Sequence, residues 1–182
     1  MPRIKVYLPE HPLAIILSPD PLISLKAGLA VVLVLQSVGI SAGLKWPNDV
    51  LVEDRKIAGV LIETDGGHSL VGIGLNLTSA PLDTATCVDR YVDLPDRDEW
   101  VQSIADTLIE MSQGAFDLDE YRRACLTLGS SVRVVGAGND SPIEGIAVEV
   151  DEEGRLHVNT KTGRRIVSSG ECLHLLPSNP NN

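Results

Sequence analysis

The residues most able to do chemistry lie in one stretch, Lys45 to Glu63, which reads KWPNDVLVEDRKIAGVLIE. A Trp-Pro-Asn-Asp turn lies between two apolar runs of this stretch, so we expect Asn48 and Asp49 at the mouth of a strand. Lysine ammonium groups beside an amide and a carboxylate suit an anionic ligand, because each cation can pair with a phosphate or carboxylate oxygen. The stretch therefore predicts a binding site for an anion that also carries a flat ring.

The apolar run that follows this turn predicts a strand from Ile57 to Ile62. Lys56 lies just before it, and Gly59 lies inside it, where a missing side chain leaves room for a ligand or a second backbone. A second motif, GIGLNL at 72–77, predicts another strand with Asn76 near its end, and an amide offers a donor and an acceptor at once. Each of these residues also has a purely structural interpretation as a turn former, a solvated lysine, a strand glycine or a strand-end amide. The pattern alone leaves both interpretations open.

The two motifs, in this order and with this gap, resemble the signature of the biotin protein ligases. In that family a Lys-Trp-Pro-Asn-Asp turn leads into an Arg-Lys-φ-Ala-Gly strand, and a Gly-φ-Gly-φ-Asn strand follows. The resemblance continues through the helical region to Leu176. It implies an α+β fold in which a class II synthetase-like catalytic domain, with a partial mixed or antiparallel sheet and helices, precedes a small SH3-like β-barrel.

The resemblance also implies a two-step reaction. ATP activates biotin to biotinyl-5′-AMP, and a lysine of the biotin carboxyl carrier domain of a biotin-dependent carboxylase then receives the biotin. The implied catalytic residues are Lys56, which would contact the biotin carboxylate and the bridging phosphate, and Asp49, which would orient the acceptor lysine or a metal. ATP and biotin are implied as substrates, and Mg²⁺ is expected with them.

The remaining site residues follow from the same two motifs. Lys56 and Gly59 are implied to bind biotin, whereas ATP binding is assigned to a second set: Lys45, Asn48, Asn76 and Gly74. Trp46 is expected in the core, because the tryptophan that covers adenine in the family belongs to a segment that nothing in this sequence matches.

No stretch between Met1 and Pro12 resembles the glycine-arginine loop that closes over the adenylate in the family. We therefore expect the sequence to represent the second half of a catalytic domain plus the C-terminal domain, and to be a weak or inactive ligase in isolation. It could instead be a catalytically impaired module that binds biotin or adenylate, or an interaction module that needs a separate N-terminal half. Absent sheet partners are expected to expose apolar surface at Leu13–Leu17 and on the first helix, favouring self-association or an N-terminal rearrangement that covers the gap.

The pattern of apolar runs and turns divides the chain into a partial catalytic domain (1–128), a C-terminal domain (129–177) and a disordered tail (178–182). In the first domain it predicts a strand at Leu13–Leu17 and a buried helix capped by Ser24. Four strands, a loop at Thr78–Asp96 and two helices are predicted next: Gly43–Trp46, Val50–Glu53, Lys56–Thr64, Ser69–Leu77, Arg97–Gln113 and Asp117 to about Leu126. Four short strands with evenly spaced turns are typical of a small barrel: Ser131–Val135, Ile143–Val150, Leu156–Thr160 and Arg164–Ser168.

Composition narrows the function further. Hydrophobic residues make up 43% of the chain, enough for a packed core, and the formal net charge of −10 argues against non-specific nucleic-acid binding. No helix-turn-helix pattern appears, so no DNA-binding domain is expected. Three cysteines without metal-ligand spacing are expected to be small buried residues in a reducing cytoplasm. The longest apolar run, Leu29–Leu35, is too short to cross a membrane.

Overall fold

The computed structural model describes residues 3–6, 13–65, 67–80, 82–93, 96–136 and 141–175, and for 3–6 it describes the backbone alone. The described strands form two sheets, one of six strands and one of five, and helices pack against the first sheet. The predicted α+β fold is therefore confirmed. The predicted tail and the tip of the turn after Gly136 lie outside the described residues.

The six-stranded sheet is antiparallel throughout, in the order β1-β2-β6-β5-β4-β3. Strands β3 to β6 form the predicted meander, with boundaries within two residues of those expected. The strands are β1 Arg3–Val6, β2 Leu13–Leu17, β3 Gly43–Lys45, β4 Asp49–Val52, β5 Arg55–Asp65 and β6 His68–Leu75. Strand β1 was not predicted. Its pairing with β2 agrees with an N-terminal segment that covers the edge of the sheet.

Helix α1, Ile23–Ser37, packs across one face of the six-stranded sheet. Its nearly continuous apolar sequence is buried as predicted, and Ile15 on β2 and Leu29 on α1 are fully buried. The predicted exposure of apolar surface on these two elements is therefore wrong. The prediction that Ser24 caps this helix is also wrong, because the helix begins at Ile23, one residue before Ser24. Ser24 lies inside it and donates its hydroxyl to the carbonyl oxygen of Pro47 at 3.3 Å.

Two further helices pack beside α1, as the sequence predicts. They are α2, Arg97–Glu110, which continues into a π-helical turn at Met111–Ala115, and α3, Leu118–Ala124. Asp117 caps α3 by accepting a hydrogen bond from the backbone N–H of Asp119 at 2.9 Å. In the predicted loop before α2, the described residues are irregular apart from a β-bridge at Ala85 and a 3₁₀ turn at Val88–Arg90.

The five-stranded sheet follows the order β10-β9-β8-β7-β11, again antiparallel. Its strands are β7 Ser131–Val135, β8 Ile143–Val150, β9 Leu156–Thr160, β10 Gly163–Val167 and β11 Glu171–His174. The sequence predicted the first four, whereas β11 was missed because four residues after a Ser-Ser-Gly turn carry too weak an alternation.

The two edges of this sheet are joined by a very short link, which requires strong curvature. Val167 ends β10, Glu171 begins β11, and the chain between them can reach at most about 14 Å. Five flat strands would place these edges about 19 Å apart. The sheet must therefore curl toward closure, which agrees with the predicted SH3-like barrel, and that assignment stays a prediction.

A charged network fastens the turn between β8 and β9. The Asp151 carboxylate accepts hydrogen bonds from the backbone N–H and Nε of Arg155, at 2.9 and 2.8 Å, and lies 2.8 Å from Nε2 of His157. Burial acts to raise the pKa of Asp151, but these hydrogen bonds outweigh it and lower the pKa to about 2. Asp151 is therefore a structural residue of the five-stranded sheet.

The described helices include none that is long and apolar enough to span a membrane. Cys87, Cys125 and Cys172 are free thiols and are buried, as predicted. Burial raises the pKa of Cys172 to about 11, which keeps this thiol protonated and unreactive near neutral pH.

We predict that Asp151→Asn destabilises the protein at neutral pH by about 1 kcal/mol, after allowing for solvent screening of a network near the surface. A carboxylate with a depressed pKa stabilises the fold fully above its ordinary value near 3.8 and loses that effect as the pH falls toward 2. Urea unfolding at pH 7 and at pH 2.5 measures the difference. Glu152→Gln, at an exposed neighbour, is the matched control. A variant that is equally destabilised at both pH values would contradict the electrostatic explanation.

Candidate functional site

A β-bulge turns Lys56 onto the open face of the six-stranded sheet. Val50 pairs with Ala58, but Leu51 pairs with Lys56, so Ile57 is an extra residue on β5. Ile57 and Ala58 are both buried, whereas strict alternation would bury only one of them. The bulge therefore breaks the alternation and aims the lysine away from the core.

A two-residue turn fixes the register of the same hairpin. Glu53 and Asp54 both have positive φ, +50° and +61°, and they lie between the paired residues Val52 and Arg55. This is the type I′ geometry that matches the twist of a hairpin. The turn sets the register in which Lys56 pairs with Leu51 of β4.

Asp49 lies between the two predicted lysines. Its Oδ1 is 2.5 Å from Nζ of Lys56, and its Oδ2 is 4.0 Å from Nζ of Lys45. The Lys56 side chain is about half exposed, while those of Lys45 and Asp49 are about four-fifths buried. The structure thus brings the two predicted catalytic residues together and adds Lys45 to them. Two ammonium groups share one carboxylate, so the cluster carries a net positive charge.

Beside this cluster, glycines form a floor on the open face of the sheet. Gly59 pairs with Asp49 on one side and with Gly74 on the other, and Leu61 pairs with Gly72. A Cβ added at Gly59 would lie 3.0 Å from both Cε and Nζ of Lys56. Leu61 is 64% exposed on this floor, which is unusual for a leucine in a central strand. The arrangement forms a flat apolar strip that ends at the lysine cluster.

Asn48 brackets the two strands that carry the cluster. Its side-chain Nδ2 donates to the backbone carbonyl oxygen of Val60 at 2.9 Å. Its backbone carbonyl oxygen accepts a hydrogen bond from the backbone N–H of Val60 at 2.8 Å. The amide nitrogen is therefore used within the protein. Its predicted role toward ATP stays a prediction.

Asn76 holds a returning segment against the end of the sheet. Its Nδ2 donates to the carbonyl oxygen of Thr86 at 3.0 Å and lies 3.4 Å from that of Lys56. The backbone N–H of Lys56 donates to the backbone carbonyl oxygen of Thr84 at 3.1 Å. The backbone carbonyl oxygen of Lys56 accepts from the backbone N–H of Thr86 at 2.9 Å. The predicted contact of Asn76 with adenine stays a prediction, and its carbonyl oxygen is the atom that would make it.

The strand-like segment at 84–86 is the part of the site that sequence reasoning missed. It pairs with the start of β5 through an isolated bridge between Lys56 and Ala85. Its sequence, Thr-Ala-Thr, lies in a polar stretch with no repeating period, so no local signal marked it. These contacts fix the backbone from which the Lys56 side chain projects.

Trp46 belongs to the core, as predicted, and it is hydrogen-bonded to residues of the C-terminal part of the chain. It is 1% exposed, its indole N–H donates to the carbonyl oxygen of Gly154 at 2.9 Å, and its backbone N–H donates to Oγ1 of Thr127 at 3.0 Å. A cis peptide bond joins it to Pro47. The backbone beside Lys45 is thus fastened to the C-terminal part of the chain.

The end of β11 lies close to Lys45. Burial lowers the pKa of His174, the positive charge of Lys45 lowers it further, and Asp54 opposes the shift. Nε2 of His174 is 2.9 Å from Oγ1 of Thr127. The five-stranded sheet therefore places a histidine whose charged form is disfavoured on one side of Lys45.

The expected Mg²⁺ finds no ready-made protein site. Among the described residues no group of three or more His, Cys, Asp or Glu side chains could hold a metal ion. Both oxygens of Asp49 already face lysines. Because Mg²⁺ commonly binds through substrate phosphates plus one or two carboxylates, it would have to come with ATP.

A cleft of about 1080 Å³ lies at the other end of the six-stranded sheet from the lysine cluster. Glu63, Asp65 and His68 line it from the β5–β6 hairpin, and Pro19, Asp20 and Pro21 line it from the loop before α1. It contains none of the predicted site residues. We place the candidate site at the lysine cluster, where opposite charges and a glycine floor converge, rather than in this cleft.

Two family models match the chain. The model described as biotin/lipoate A/B protein ligase family matches residues 11–78, which contain the lysine cluster and the glycine floor. The model described as biotin protein ligase C terminal domain matches residues 127–175, which contain the five-stranded sheet.

Known proteins similar to this chain carry names of the same kind. A biotin–[acetyl-CoA-carboxylase] ligase of Mycobacterium tuberculosis is 36% identical over 169 residues, which cover 84% of this chain and 62% of that relative. The chain therefore spans less than two thirds of that relative's length. A crystal structure of the biotin protein ligase of Aquifex aeolicus matches with a TM-score of 0.75 at 26% identity, covering 88% of this chain and 80% of that one. The same ligase in complex with biotin and ATP matches with a TM-score of 0.71 at 27% identity, covering 88% and 77%.

We predict that Gly59→Ala displaces the Lys56 ammonium group from Asp49 without disturbing the fold, because the new Cβ is too close only to the flexible end of the Lys56 side chain and lies at an ordinary contact distance of 3.6 Å from Asp49 Oδ1. Reductive ¹³C-methylation of the lysines, followed by NMR, would show a shifted Lys56 signal. Gly74→Ala is the matched control, since its Cβ would meet nothing closer than 4.0 Å. The melting temperature of both variants should stay within about 2 °C of the parent. An unchanged Lys56 signal in Gly59→Ala would contradict the proposed packing.

Proposed function

The chain belongs to the biotin protein ligase family, and we propose that its lysine cluster serves the adenylation of biotin and the transfer of biotin to a carrier protein. The first step joins the biotin carboxylate to the α-phosphate of ATP and releases pyrophosphate. The second step moves the biotinyl group from AMP to the ε-amino group of a lysine on a biotin carboxyl carrier domain. The acceptor amine loses one proton in this transfer, and AMP leaves.

The observation that carries the proposal is the placement of Lys56 and Lys45 on either side of Asp49. Adenylation forces a carboxylate against a phosphate, and their mutual repulsion raises the barrier. Ammonium groups fixed beside both anions lower that barrier, because they are oriented before the reaction begins. In this proposal Asp49 holds Lys56 in position, and Lys45 faces the phosphates.

The glycine floor supports an assignment of the biotin side of the site. A bicyclic ring with an aliphatic chain needs a flat apolar surface that leads to a cation at the carboxylate end. Gly59, Gly72 and Gly74 leave the backbone open to such contact, and Leu61 offers exposed apolar area beside them. The carboxylate of a ligand on this strip would reach Lys56.

For the transfer step, Asp49 is the group placed to act on the acceptor amine. Its carboxylate lies beside the same lysine that would contact the reacting anhydride. A carboxylate near the incoming ammonium group orients that group and favours the removal of its proton. The proposed partner is the carrier domain of a biotin-dependent carboxylase, and the proposed compartment is the cytoplasm.

We predict that Lys56→Ala lowers the affinity of the chain for a non-hydrolysable biotinyl-adenylate analogue by about 100-fold, the range for removing a charge-assisted contact to a phosphate. Lys56 is exposed at a strand entrance, so its truncation leaves no cavity in the core. Isothermal titration calorimetry measures the affinity directly, and pyrophosphate exchange with biotin and ATP measures the first step.

Arg55→Ala is the matched control, because Arg55 is the adjacent exposed cation and lies outside the cluster. It should bind the analogue as the parent does. Equal losses of affinity in Lys56→Ala and Arg55→Ala would mean that the total positive charge of the region, and not Lys56 specifically, determines binding of the analogue. Undiminished affinity in folded Lys56→Ala would overturn the role assigned to Lys56.

A further inference from the structure

We propose that Thr127 and His174 form a pH-sensitive positioning pair through which the barrel sets the place of Lys45. The inference rests on the proposed function for the identity of the ligand, but its structural part stands on the geometry alone. Neither residue was singled out by the sequence, because each is polar and lies outside the two signature motifs.

Thr127 connects the two parts of the chain through a single oxygen atom. Oγ1 accepts the backbone N–H of Trp46 at 3.0 Å and lies 2.9 Å from Nε2 of His174. Thr127 has no exposed surface. A buried N–H that lost this acceptor would stay unpaired, so the contact matters for where the Trp46 backbone lies.

Neighbouring contacts limit the ways in which this junction can move. Leu126 donates its N–H to the carbonyl oxygen of Leu44 at 2.8 Å, and the Trp46 indole donates to Gly154 at 2.9 Å. Lys45 lies between Leu44 and Trp46, both of which are therefore fastened to groups outside the meander. A shift of Thr127 would move the peptide that carries the Lys45 side chain.

The proton on His174 decides which hydrogen bond Thr127 makes. One lone pair of the hydroxyl oxygen already accepts from Trp46. When His174 is neutral with Nε2 unprotonated, the Thr127 hydroxyl donates to that nitrogen and all three groups are satisfied. When His174 is protonated, Nε2 must donate instead, and the hydroxyl hydrogen is left with the sulfur of Cys125, a weak acceptor within reach.

The surroundings of His174 disfavour the protonated form. Burial and the ammonium group of Lys45 on β3 both act against it, and Asp54 in the β4–β5 turn partly compensates. Cys172 on the same strand is buried and protonated near neutral pH, so it adds no charge. A histidine with a lowered pKa supports the fold fully above about pH 6.5, and its contribution is lost as the pH falls below that value. A cation on His174 would also repel Lys45.

The test uses the fluorescence of Trp46 in a Trp100→Phe background, because Trp46 and Trp100 are the only tryptophans in the chain. Emission is recorded between pH 5 and pH 8, and binding of the biotinyl-adenylate analogue is measured over the same range. We expect a red shift of the Trp46 emission and a loss of affinity of about threefold to tenfold at low pH, with a midpoint below 6.5.

Three variants make the readout specific. His174→Gln removes the titrating group and should flatten both profiles, whereas His68→Gln, at an exposed histidine, should leave both unchanged. Thr127→Val removes the acceptor of the Trp46 N–H and should shift the emission at every pH value, and Thr127→Ser should restore it. If Thr127→Val fails to fold, His174→Gln and Thr127→Ser still decide the question.

The proposal is overturned if His174→Gln keeps the parent's pH-dependent emission, or if folded Thr127→Val leaves the emission unchanged. Failure of the proposed function looks different. A chain that binds no adenylate analogue at any pH, but still shows a His174-dependent change in Trp46 emission, would refute the ligand and retain the positioning pair. A change in analogue binding that does not depend on His174 would refute the pair and retain the ligand.

Discussion

The arrangement of the lysine cluster depends on one irregularity in an otherwise regular hairpin, the bulge at Ile57. Strand β5 must bury apolar residues against α1 and must also present a lysine on its opposite face. A strict two-residue period places alternate side chains on opposite faces, so Lys56 would share the buried face with Ala58. The extra residue removes this conflict: Ile57 and Ala58 both remain in the core, and Lys56 reaches Asp49 on the open face. The Glu53-Asp54 turn then holds the bulge at one register.

The elements whose period or turn chemistry is local could be predicted from the sequence. The meander, the buried first helix and four barrel strands all carry an alternation or an apolar run long enough to identify. Lys45, Asp49 and Lys56 could be grouped because the first of the two signature motifs contains all three. These three residues come together in space because of the strand register, and the register depends on the bulge. The sequence Lys-Ile-Ala-Gly carries no signal that predicts a bulge.

What could not be predicted depends on contacts between distant segments. Strand β1 and strand β11 are four residues each, and they exist because a neighbouring edge accepts their hydrogen bonds. The Thr84–Thr86 segment has no apolar period, and its conformation comes from the backbone of Lys56 and the amide of Asn76. Likewise, Thr127 matters only because Trp46 reaches it across the chain. Tertiary contacts decide such segments where intrinsic preference is weak.

The geometry of the site also indicates how an acidic chain would bind the proposed anionic ligand. A formal net charge of −10 repels anions at long range, but charges separated by more than about 8 Å are largely screened at physiological ionic strength. At shorter range the ligand meets Lys56 and Lys45, which are compensated by the single carboxylate of Asp49. Asp49 would therefore have two opposing effects. It orients both ammonium groups, but it also competes with an incoming anion for them. The partial burial of Lys45 and Asp49 strengthens both effects, because screening by water is weaker there. In the positioning that we propose, the contacts of Trp46 with Thr127 and Gly154 fix the peptide beside Lys45, so the lysine would lose less conformational freedom when it turns toward the ligand.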